Sequence, residues 1–490
     1  TVLYLNRSLS VIEAKNCTLR AKGSLKFPKN FSFGAATSAY QIEGGWNADG
    51  KGPSIWDEYT HNDPDRITDR SNGDVAIDSY HRFDLDLKIL KELKLDHYRF
   101  SIAWTRIFPN GDVSSKNQKG IDYYNDIIDK LLANNIEPMV TMYHWDLPVD
   151  IQKLGGFTNA LIINYFTAYA EELFKLFGDR VKLWITFNEP MQICKPGYST
   201  AESPPNIKSP GIGDYLCFTN ILKAHARTYH LYKSKYVKEQ RGRIGITMDT
   251  FFFISKSNDK NDVDRGMQFS FGIIAHAIFS KAGGFPKVLV DDIGKNSLAE
   301  GRSVSRLPHL DAYWKAYIRG SFDFLGLNYY TSRYVERPSK PLGENPSMLR
   351  DYDIEETSDP NWLQGKSNWL YCVPTGFEGL LKWIREEYDN VEVKITENGW
   401  SDEGDLDDDD RVSYYKSHLQ AVLNAIHDGS NITSYSAWSL FDNFEWNRGY
   451  TEKFGLYAVD MKSPKRERTA KKSAIYYRKI IEARTLVDEF

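Results

Sequence analysis

The chain has 490 residues, of which 41% are hydrophobic and 26% charged, values that are ordinary for a globular protein. The formal net charge is −4 and no basic patch is present, so we expect no nucleic-acid partner. No apolar run approaches the ~20 residues that span a bilayer, so we expect no membrane span.

The predicted elements form a repeating pattern of strands and helices. The predicted strands lie at residues 31–46, 96–104, 137–146, 182–190, 243–253, 322–330, 391–399 and 432–446. The predicted helices lie at residues 84–95, 120–134, 160–176, 215–236, 262–280, 376–388, 411–427 and 471–483. Strands that alternate eight times with helices favour parallel pairing, which predicts the α/β class and a (β/α)8 TIM barrel with long βα loops.

The alternative fold is an open doubly wound sheet. It would normally carry a Gly-rich phosphate turn after the first strand, and Gly34, Gly44 and Gly45 do not fit that spacing. No linker divides the chain, so we predict an extended N-terminal arm (1–26), one barrel domain (27–484) and a C-terminal tail (485–490). The connection 335–368 lacks periodicity, and such long loops are usually functional or mobile.

Two of the predicted strands end in a carboxylate. The run 391–400 alternates apolar and polar residues and delivers Glu397 into the Asn398-Gly399 turn. The run 182–190 ends in Asn188-Glu189-Pro190. Glycoside hydrolysis needs such a pair, one carboxyl to protonate the leaving oxygen and one carboxylate to attack the sugar carbon.

The other strand ends carry amides, an imidazole, a guanidinium, a carboxylate and aromatic rings. They are Gln41, Arg99, His144, Asn188, Asn328, Tyr330, Trp438, Glu445 and Trp446. This set suits a polyhydroxylated ligand, because amides and carboxylates hydrogen-bond hydroxyls while indole rings stack on sugar faces. It contains no obvious metal-ligand set, so we expect neither a metal nor a cofactor.

Two charged segments are interpreted as solvated surface. The acidic run 402–410 lacks the spacing of an EF-hand calcium loop and is predicted to cap the helix that begins at Arg411. The basic segment 462–472 is predicted to be a solvated approach to the last helix.

Seven motifs resemble those of one enzyme family in the same order. They are FSFGAATSAYQIEG, YRFSIAW, YHWDLP, TFNEP, LNYYTS, ITENGW and WSLFDNFEW. Together they resemble glycoside hydrolase family 1, whose members are retaining β-glycosidases on a (β/α)8 barrel. The resemblance runs over residues 27–477, and the detailed sequence of the motifs is similar to that of the insect β-glucosidases and myrosinases.

The resemblance implies roles for individual residues. Glu189 matches the acid/base of the family, Glu397 matches its nucleophile, and Trp438 matches the ring beneath the sugar. Residues that match contacts to the sugar hydroxyls are Gln41, His144, Asn188, Glu445 and Trp446. Residues that match groups around the nucleophile are Arg99, Asn328 and Tyr330. Retaining chemistry would place the two carboxyl groups about 5–5.5 Å apart.

The implied substrate is a small β-glucoside or an oligosaccharide, but several alternatives stay open at this point. Galactosides and fucosides could present their hydroxyls to the same contacts. A thioglucosidase acting on glucosinolates would share every sugar contact and differ only on the aglycone side. A sugar-binding protein without catalysis would typically lose one of the two Glu residues, and this chain keeps both.

Several features favour a secreted or lumenal protein. The chain begins at Thr1 without a signal-peptide segment, which we interpret as a mature, processed protein. Candidate N-glycosylation sites occur at Asn6, Asn16, Asn30 and Asn431. The 4 Cys residues allow three fully paired connectivities, and Cys194–Cys217 is the expected bridge because these two are nearest in sequence.

Overall fold

Eight parallel strands close into a barrel in the part of the chain that the computed structural model describes, residues 17–487. In chain order they are β1 (Ser32–Ala36), β2 (His97–Ser101), β3 (Glu137–Tyr143), β4 (Leu183–Asn188), β5 (Arg243–Asp249), β6 (Phe324–Asn328), β7 (Val393–Asn398) and β8 (Ile432–Trp438). Each strand pairs with its neighbours along the chain, and β8 closes the ring by pairing with β1. The predicted (β/α)8 barrel is confirmed, and the open sheet is excluded.

Helices surround the barrel. The long ones are Ser79–Glu92, Gln118–Ala133, Leu161–Phe177, Gly213–Lys235, Lys287–Ala299, Pro374–Glu387, Asp409–His427 and Lys472–Ala483. In the second of these, Ile121, Tyr124, Ile128 and Leu131 are buried at three- and four-residue spacings, which forms one apolar face. Short helices lie in the loops at Ala39–Ile42, Ile55–Asn62, Trp104–Ile107, Val149–Lys153, Pro190–Tyr198, Val237–Gln240, Ala312–Ile318 and Met348–Tyr352.

Strand β7 is fully buried, although its sequence alternates between apolar and polar residues. Val393 and Ile395 belong to the main apolar core. Thr396 is also buried, and its hydroxyl donates to Oδ1 of Asn328 at 2.7 Å. The alternating residues therefore point to two different buried places. Val393 and Ile395 lie in the apolar core, Thr396 lies in the barrel interior, and neither side of the strand faces solvent.

Polar side chains inside the barrel are concentrated near the carboxyl ends of the strands. A small apolar cluster, separate from the main core, consists of Met139, Leu183, Ile185 and Phe324. Two residues beyond Met139 on β3, the hydroxyl of Thr141 accepts a hydrogen bond from Nε of Arg99 at 3.1 Å. This end is where (β/α)8 barrels build their sites.

The predicted strand at 243–253 is wrong in its extent. Strand β5 ends at Asp249, and the chain then enters a second sheet, here called the side sheet. The side sheet consists of Phe252–Ser255, Ser332–Glu336 and Glu355–Thr357. The strand-like aromatic run continues across the break, so residue type does not mark it. The connection 335–368, whose sequence shows no periodicity, contains part of this sheet and a short helix.

Two further predicted elements differ in extent. The predicted strand 432–446 ends at Trp438, because the N–H of Ser439 donates to the carbonyl of Phe454 and the chain leaves the barrel ladder. The predicted helix 262–280 is interrupted by a π-helical turn. It comprises Lys260–Met267, the turn Gln268–Gly272 and Ile273–Phe279.

The two charged segments meet in a network through Asp408 and Lys471, their buried members, whereas the other residues of both segments are exposed or half-buried, as predicted for solvated surface. The network consists of Asp402, Asp408, Arg411, Asp442 and Lys471. Arg411 pairs with Asp402 at 2.7 Å and with Asp408, and Lys471 pairs with Asp442 at 2.8 Å. Each buried charge has a partner of opposite sign, which offsets the cost of removing it from water.

Asp408 also caps a different helix from the one predicted. Its side chain makes no capping bond to Asp409–His427. Instead, Oδ1 accepts the N–H of Ser473 at 2.7 Å, in the first turn of the last helix. The acidic loop is thereby attached to the last helix of the chain.

Two disulfides cross-link the described chain, one over a sequence separation of 23 residues and one over 355. The predicted pair Cys194–Cys217 is confirmed, with a Cα–Cα distance of 5.5 Å. Cys17 pairs with Cys372 over a Cα–Cα distance of 5.6 Å. Lys26 forms an antiparallel bridge with Thr485, so the segment that precedes the barrel lies beside the C-terminal end of the described chain. The boundaries of the arm and the tail stay a prediction.

Two of the four candidate glycosylation sites lie within the described residues. Asn30 and Asn431 are both exposed, as a glycan acceptor must be, whereas Asn6 and Asn16 lie outside the described residues. Among residues 17–487, no helix combines the length and the apolar character that a membrane crossing requires.

Candidate active site

A cavity of about 820 Å³ lies at the carboxyl ends of the barrel strands. The predicted site residues that line it are His144, Asn188, Glu189, Asn328, Tyr330, Glu397, Trp438, Glu445 and Trp446. Gln41 and Arg99 are fully buried behind this wall and do not line it. Residues that the sequence places far apart are therefore brought to one end of the barrel.

Glu397 lies near the end of β7 and is held at both carboxylate oxygens. The guanidinium of Arg99 donates to Oε1 at 2.5 Å, and the phenol of Tyr330 donates to Oε2 at 2.7 Å. Arg99 reaches this position from β2, and only 3% of Glu397 is exposed. A buried cation and a hydroxyl that both donate to a carboxylate stabilise its negative charge.

Glu189 follows β4 directly and has the opposite surroundings. Its backbone adopts a left-handed conformation (φ 51°), and the carboxamide of Asn328 donates to its Oε1 at 2.6 Å. Burial raises the pKa of Glu189 well above its usual range, and the negative charges of Asp249 and Glu397 raise it further. Glu189 is therefore stabilised in its protonated form.

Asn328 was expected beside the nucleophile Glu397, but its side chain contacts the other carboxyl group, Glu189. It lies opposite Glu397 in the ladder between β6 and β7, but its amide donates to Glu189 and to Oδ1 of Asn188. Thr396 fixes the amide by donating to Oδ1 of Asn328. Asn328 thus links β7, the strand that carries Glu397, to the side chain of Glu189.

His144 is neutral and has one free ring nitrogen. Oδ1 of Asn188 accepts from Arg99 at 2.6 Å, so its amide nitrogen, 3.2 Å from Nε2 of His144, must be the donor in that contact. This assignment leaves the proton of His144 on Nδ1, which has no partner among the described residues. Burial and the nearby charge of Arg99 lower the pKa of His144 well below its usual range.

Glu445 is a second carboxyl group with an unpaired oxygen. Its Oε2 accepts from Nε2 of Gln41 at 3.5 Å, and Gln41 is itself held by the carbonyl of Phe444 at 2.8 Å. Oε1 of Glu445 is buried without a partner in the described structure. Burial raises the pKa of Glu445 well above its usual range, with further contributions from the negative charges of Glu452 and Glu397.

These unpaired atoms indicate what the cavity binds. A buried polar group without a hydrogen bond is costly, and such groups in a concave site are normally satisfied by a ligand or by water. Nδ1 of His144 offers a donor, and Oε1 of Glu445 accepts and, when protonated, also donates. This combination matches the hydroxyl groups of a sugar.

Aromatic rings form the apolar part of the same wall. The rings of Trp438 and Trp446 each lie 5.9 Å from the ring of His144, between centroids. Trp145, which the sequence analysis did not select, lies 4.5 Å from Trp446 and donates its indole N–H to the carbonyl of Asn188 at 3.0 Å.

Asp249 is the main site residue that sequence reasoning missed. It is the last residue of β5, lines the cavity and accepts a hydrogen bond from Gln192 at 2.7 Å. Its other oxygen, Oδ1, is buried without a partner among the described residues. The signal was present, because Asp249 is a strand-end carboxylate like the other two, but the predicted strand ran past it.

The comparisons with known proteins agree with this geometry. The family model described as "Glycosyl hydrolase family 1" matches residues 24–486. The chain belongs to this family. It is therefore a glycosyl hydrolase, and the resemblance on the seven motifs is confirmed.

Three curated relatives and one solved structure show the similarity. Myrosinase 1 of Brevicoryne brassicae is 43% identical over 93% of this chain and 98% of its own length. Human cytosolic beta-glucosidase is 42% identical, with 93% and 98% covered. Human lactase/phlorizin hydrolase is 45% identical over 93% of this chain, which spans only 24% of that longer protein. The solved structure of aphid myrosinase superposes with a TM-score of 0.89 at 42% identity, covering 93% of this chain and 99% of the other.

Proposed function

We propose that this protein is a retaining β-glycosidase that removes the terminal, non-reducing β-D-glucosyl group from small glucosides. The observation that carries the proposal is the contrast between the two buried carboxyl groups of one cavity. Glu397 is paired with Arg99 and Tyr330, whereas burial and the negative charges of neighbouring carboxylates raise the pKa of Glu189 and favour its protonated form. Two carboxyl groups in such different environments suit an acid and a nucleophile.

In the first proposed step, Glu397 attacks the anomeric carbon while Glu189 protonates the glycosidic oxygen. The carbon–oxygen bond to the aglycone breaks, and a covalent glucosyl-enzyme forms on Glu397. Arg99 and Tyr330 hold the attacking oxygens in place, so that little reorganisation is needed on reaction.

In the second step Glu189 acts as a base instead of an acid. Esterified Glu397 no longer carries a negative charge, so one cause of the raised pKa of Glu189 disappears. Glu189 then ionises more readily and removes a proton from the water that attacks the anomeric carbon. Two displacements at one carbon return the original β configuration.

The sugar would occupy the part of the cavity formed by His144, Glu445, Trp438 and Trp446. His144 and Glu445 would bind hydroxyl groups through their unpaired atoms, and Trp438 would lie under the ring. Gln41 would act on the sugar subsite by holding Glu445, since it does not line the cavity. Galactosyl and fucosyl groups are the alternatives for this subsite.

The alternative reaction is the hydrolysis of thioglucosides such as glucosinolates. The similarity to Myrosinase 1 favours this candidate, and the sugar contacts would be the same. A sugar-binding protein without catalysis is not favoured, because both carboxyl groups and their supporting contacts are present.

We further propose a secreted or lumenal location and N-glycosylation at exposed sequons. Two disulfides support this location, because disulfides persist in oxidising compartments. The exposed positions of Asn30 and Asn431 are compatible with glycans there.

Replacing the two carboxyl groups separately tests the proposal. With an activated aryl β-glucoside, Glu397→Ala should lose at least about 10³-fold in kcat. Glu189→Ala should lose less with this substrate, because a good leaving group needs little acid assistance. Added azide should restore turnover by substituting for the missing carboxylate, giving the α-glucosyl azide with Glu397→Ala and the β-glucosyl azide with Glu189→Ala. Activity of Glu397→Ala equal to that of the wild type would contradict the proposal.

A further inference from the structure

The cavity wall outside the proposed sugar subsite is rich in carboxyl groups. We call this part the outer wall, meaning the lining residues other than the predicted site residues. Its acidic members are Glu202, Asp249, Glu355, Glu356 and Glu452, and its cations are Lys195 and Arg448. Carboxyl groups therefore outnumber cations by more than two to one in the space that an aglycone would fill.

Ion pairing does not remove this excess of negative charge. Arg448 is engaged by Glu452 at 3.5 Å. Among the described residues, no ion pair joins Glu202, Glu355 or Glu356 to a cation. Within the lining, Lys195 stands against the other four carboxyl groups, while Arg333 and Lys256, which do not line the cavity, interact electrostatically with Glu356 and Glu355.

Most of the uncharged residues of the outer wall are apolar. Phe251, Phe253, Met348, Tyr352 and Ile354 line the cavity, and they belong mainly to the side sheet and the short helix Met348–Tyr352. An apolar surface in a pocket favours an aryl or alkyl group over a second, heavily hydroxylated sugar.

Asp249 is the acidic group placed closest to the reaction. Its Oδ2 is fixed by the amide of Gln192 at 2.7 Å, while Oδ1 is buried without a partner among the described residues. It stands beside Glu189, because Glu189 donates its backbone N–H to the carbonyl of Thr247 on the same strand, β5, at 2.9 Å. An aglycone whose glycosidic oxygen is protonated by Glu189 would therefore lie near this free oxygen.

We propose that the outer wall accepts apolar aglycones that are neutral or cationic and rejects anionic ones, with Asp249 as the principal determinant. Glu202, Glu355 and Glu356 are exposed, so water and salt screen their charges, whereas Oδ1 of Asp249 is buried and would repel a nearby negative group most strongly. A hydroxyl or ammonium group could instead donate to Oδ1 of Asp249. The inference rests on the proposed function, and it disfavours glucosinolates, whose aglycones carry a sulfate.

Three matched substrates test the inference. Each is an aryl β-glucoside with a two-carbon chain para to the glycosidic oxygen, ending in a tert-butyl, trimethylammonium or sulfonate group. The chain keeps the leaving-group chemistry equal, and the heads are similar in size but neutral, positive and negative. The measured quantity is kcat/KM at low ionic strength for each substrate.

We expect the sulfonate substrate to have a kcat/KM at least about tenfold below that of the tert-butyl substrate, with the cationic substrate equal to it or better. Raising the ionic strength from about 0.01 M to about 1 M should narrow the gap, because salt screens charge. A sulfonate substrate that is cleaved as well as the tert-butyl substrate at low salt would overturn the inference.

Variants identify the charges responsible. Asp249→Asn, and separately the double variant Glu355→Gln/Glu356→Gln, should each raise the ratio of kcat/KM for the sulfonate substrate to that for the tert-butyl substrate by severalfold. Glu239→Gln is the matched control, because Glu239 is exposed and outside the cavity. It makes the same change of charge and should leave the ratio unchanged. If all three variants had the same ratio of kcat/KM values, the carboxyl groups of the outer wall would not be responsible for the discrimination, which would contradict the inference.

Failure of this inference can be told apart from failure of the proposed function. If the protein is not a β-glucosidase, none of the three substrates will be cleaved at a rate that depends on Glu397. If it is one but the inference is wrong, the tert-butyl substrate will be cleaved and the charge of the head will have no effect.

Discussion

The pKa of Glu189 is the residue-scale property on which the two-step chemistry depends. Burial is the main cause of its increase, and Asp249 contributes more than Glu397 among the neighbouring charges. Asp249 itself has a pKa raised to about 6, so it is ionised at neutral and alkaline pH. A carboxylate that takes no direct part in bond cleavage thus adds to the effect of burial on the pKa of Glu189.

We expect Asp249→Asn to shift the alkaline limb of the pH profile of kcat/KM to lower pH. Removing a negative neighbour makes ionisation of Glu189 easier, so the proton needed for the first step is lost sooner as pH rises. The shift should be roughly half a pH unit to one unit. The profile is measured with a substrate that has a poor leaving group, for which acid assistance matters, and Glu239→Gln is the control. An alkaline limb that stays in place or moves to higher pH would contradict this reading of Asp249.

The hydrogen bond from Tyr330 to Glu397 gives a second prediction at this scale. Tyr330→Phe removes a donor that holds the nucleophile, and kcat/KM should fall by roughly 10- to 100-fold while thermal stability changes little. The neighbouring Tyr329 is the matched control, because its hydroxyl donates to the carbonyl of Val373, away from the cavity. Tyr329→Phe should lower stability by about 1 kcal/mol and leave kcat/KM nearly unchanged. The reverse pattern would show that the Tyr330 hydroxyl does not support the nucleophile.

At the scale of secondary-structure elements, the barrel strands were predictable and the loops between them were not. The eight barrel strands alternate with helices, and each strand has a pattern that residue types alone reveal. The end of β5 was not visible, because an aromatic run continues into the side sheet, and Asp249 was missed for that reason. Likewise, no local pattern reveals that Asp408 and Arg411 meet Lys471, since their pairing depends on how distant segments pack.

The buried network makes a prediction about stability. Asp408→Asn removes the negative partner of fully buried Arg411 and weakens the cap on the last helix, so the free energy of unfolding should fall by about 3 kcal/mol. Asp407→Asn is the control, because Asp407 is the exposed neighbour in the same acidic run. Its effect should stay within about 0.5 kcal/mol. Denaturant unfolding of both variants measures the difference, and equal effects would mean that the network contributes nothing specific.

At the scale of the whole molecule, the cavity has two parts with different structural origins. Its sugar-facing part is built on the ends of the barrel strands, which hold the carboxyl groups rigidly. Its outer wall comes mostly from the loops and short helices that follow the strands, among them Pro190–Tyr198, Met348–Tyr352 and part of the side sheet, while Asp249 is the last residue of β5. This division explains why sequence motifs led to the catalytic residues, whereas the chemistry of the aglycone side emerged only from the folded chain.

The stereochemistry of the reaction tests the central claim most directly, namely that Glu189 and Glu397 act on one sugar from a single cavity. Proton NMR can follow the hydrolysis of an aryl β-glucoside and record the anomer of glucose that forms first, before it equilibrates in water. Double displacement through Glu397 predicts that β-glucose accumulates first. Initial release of α-glucose would mean a single displacement by water and would contradict the account.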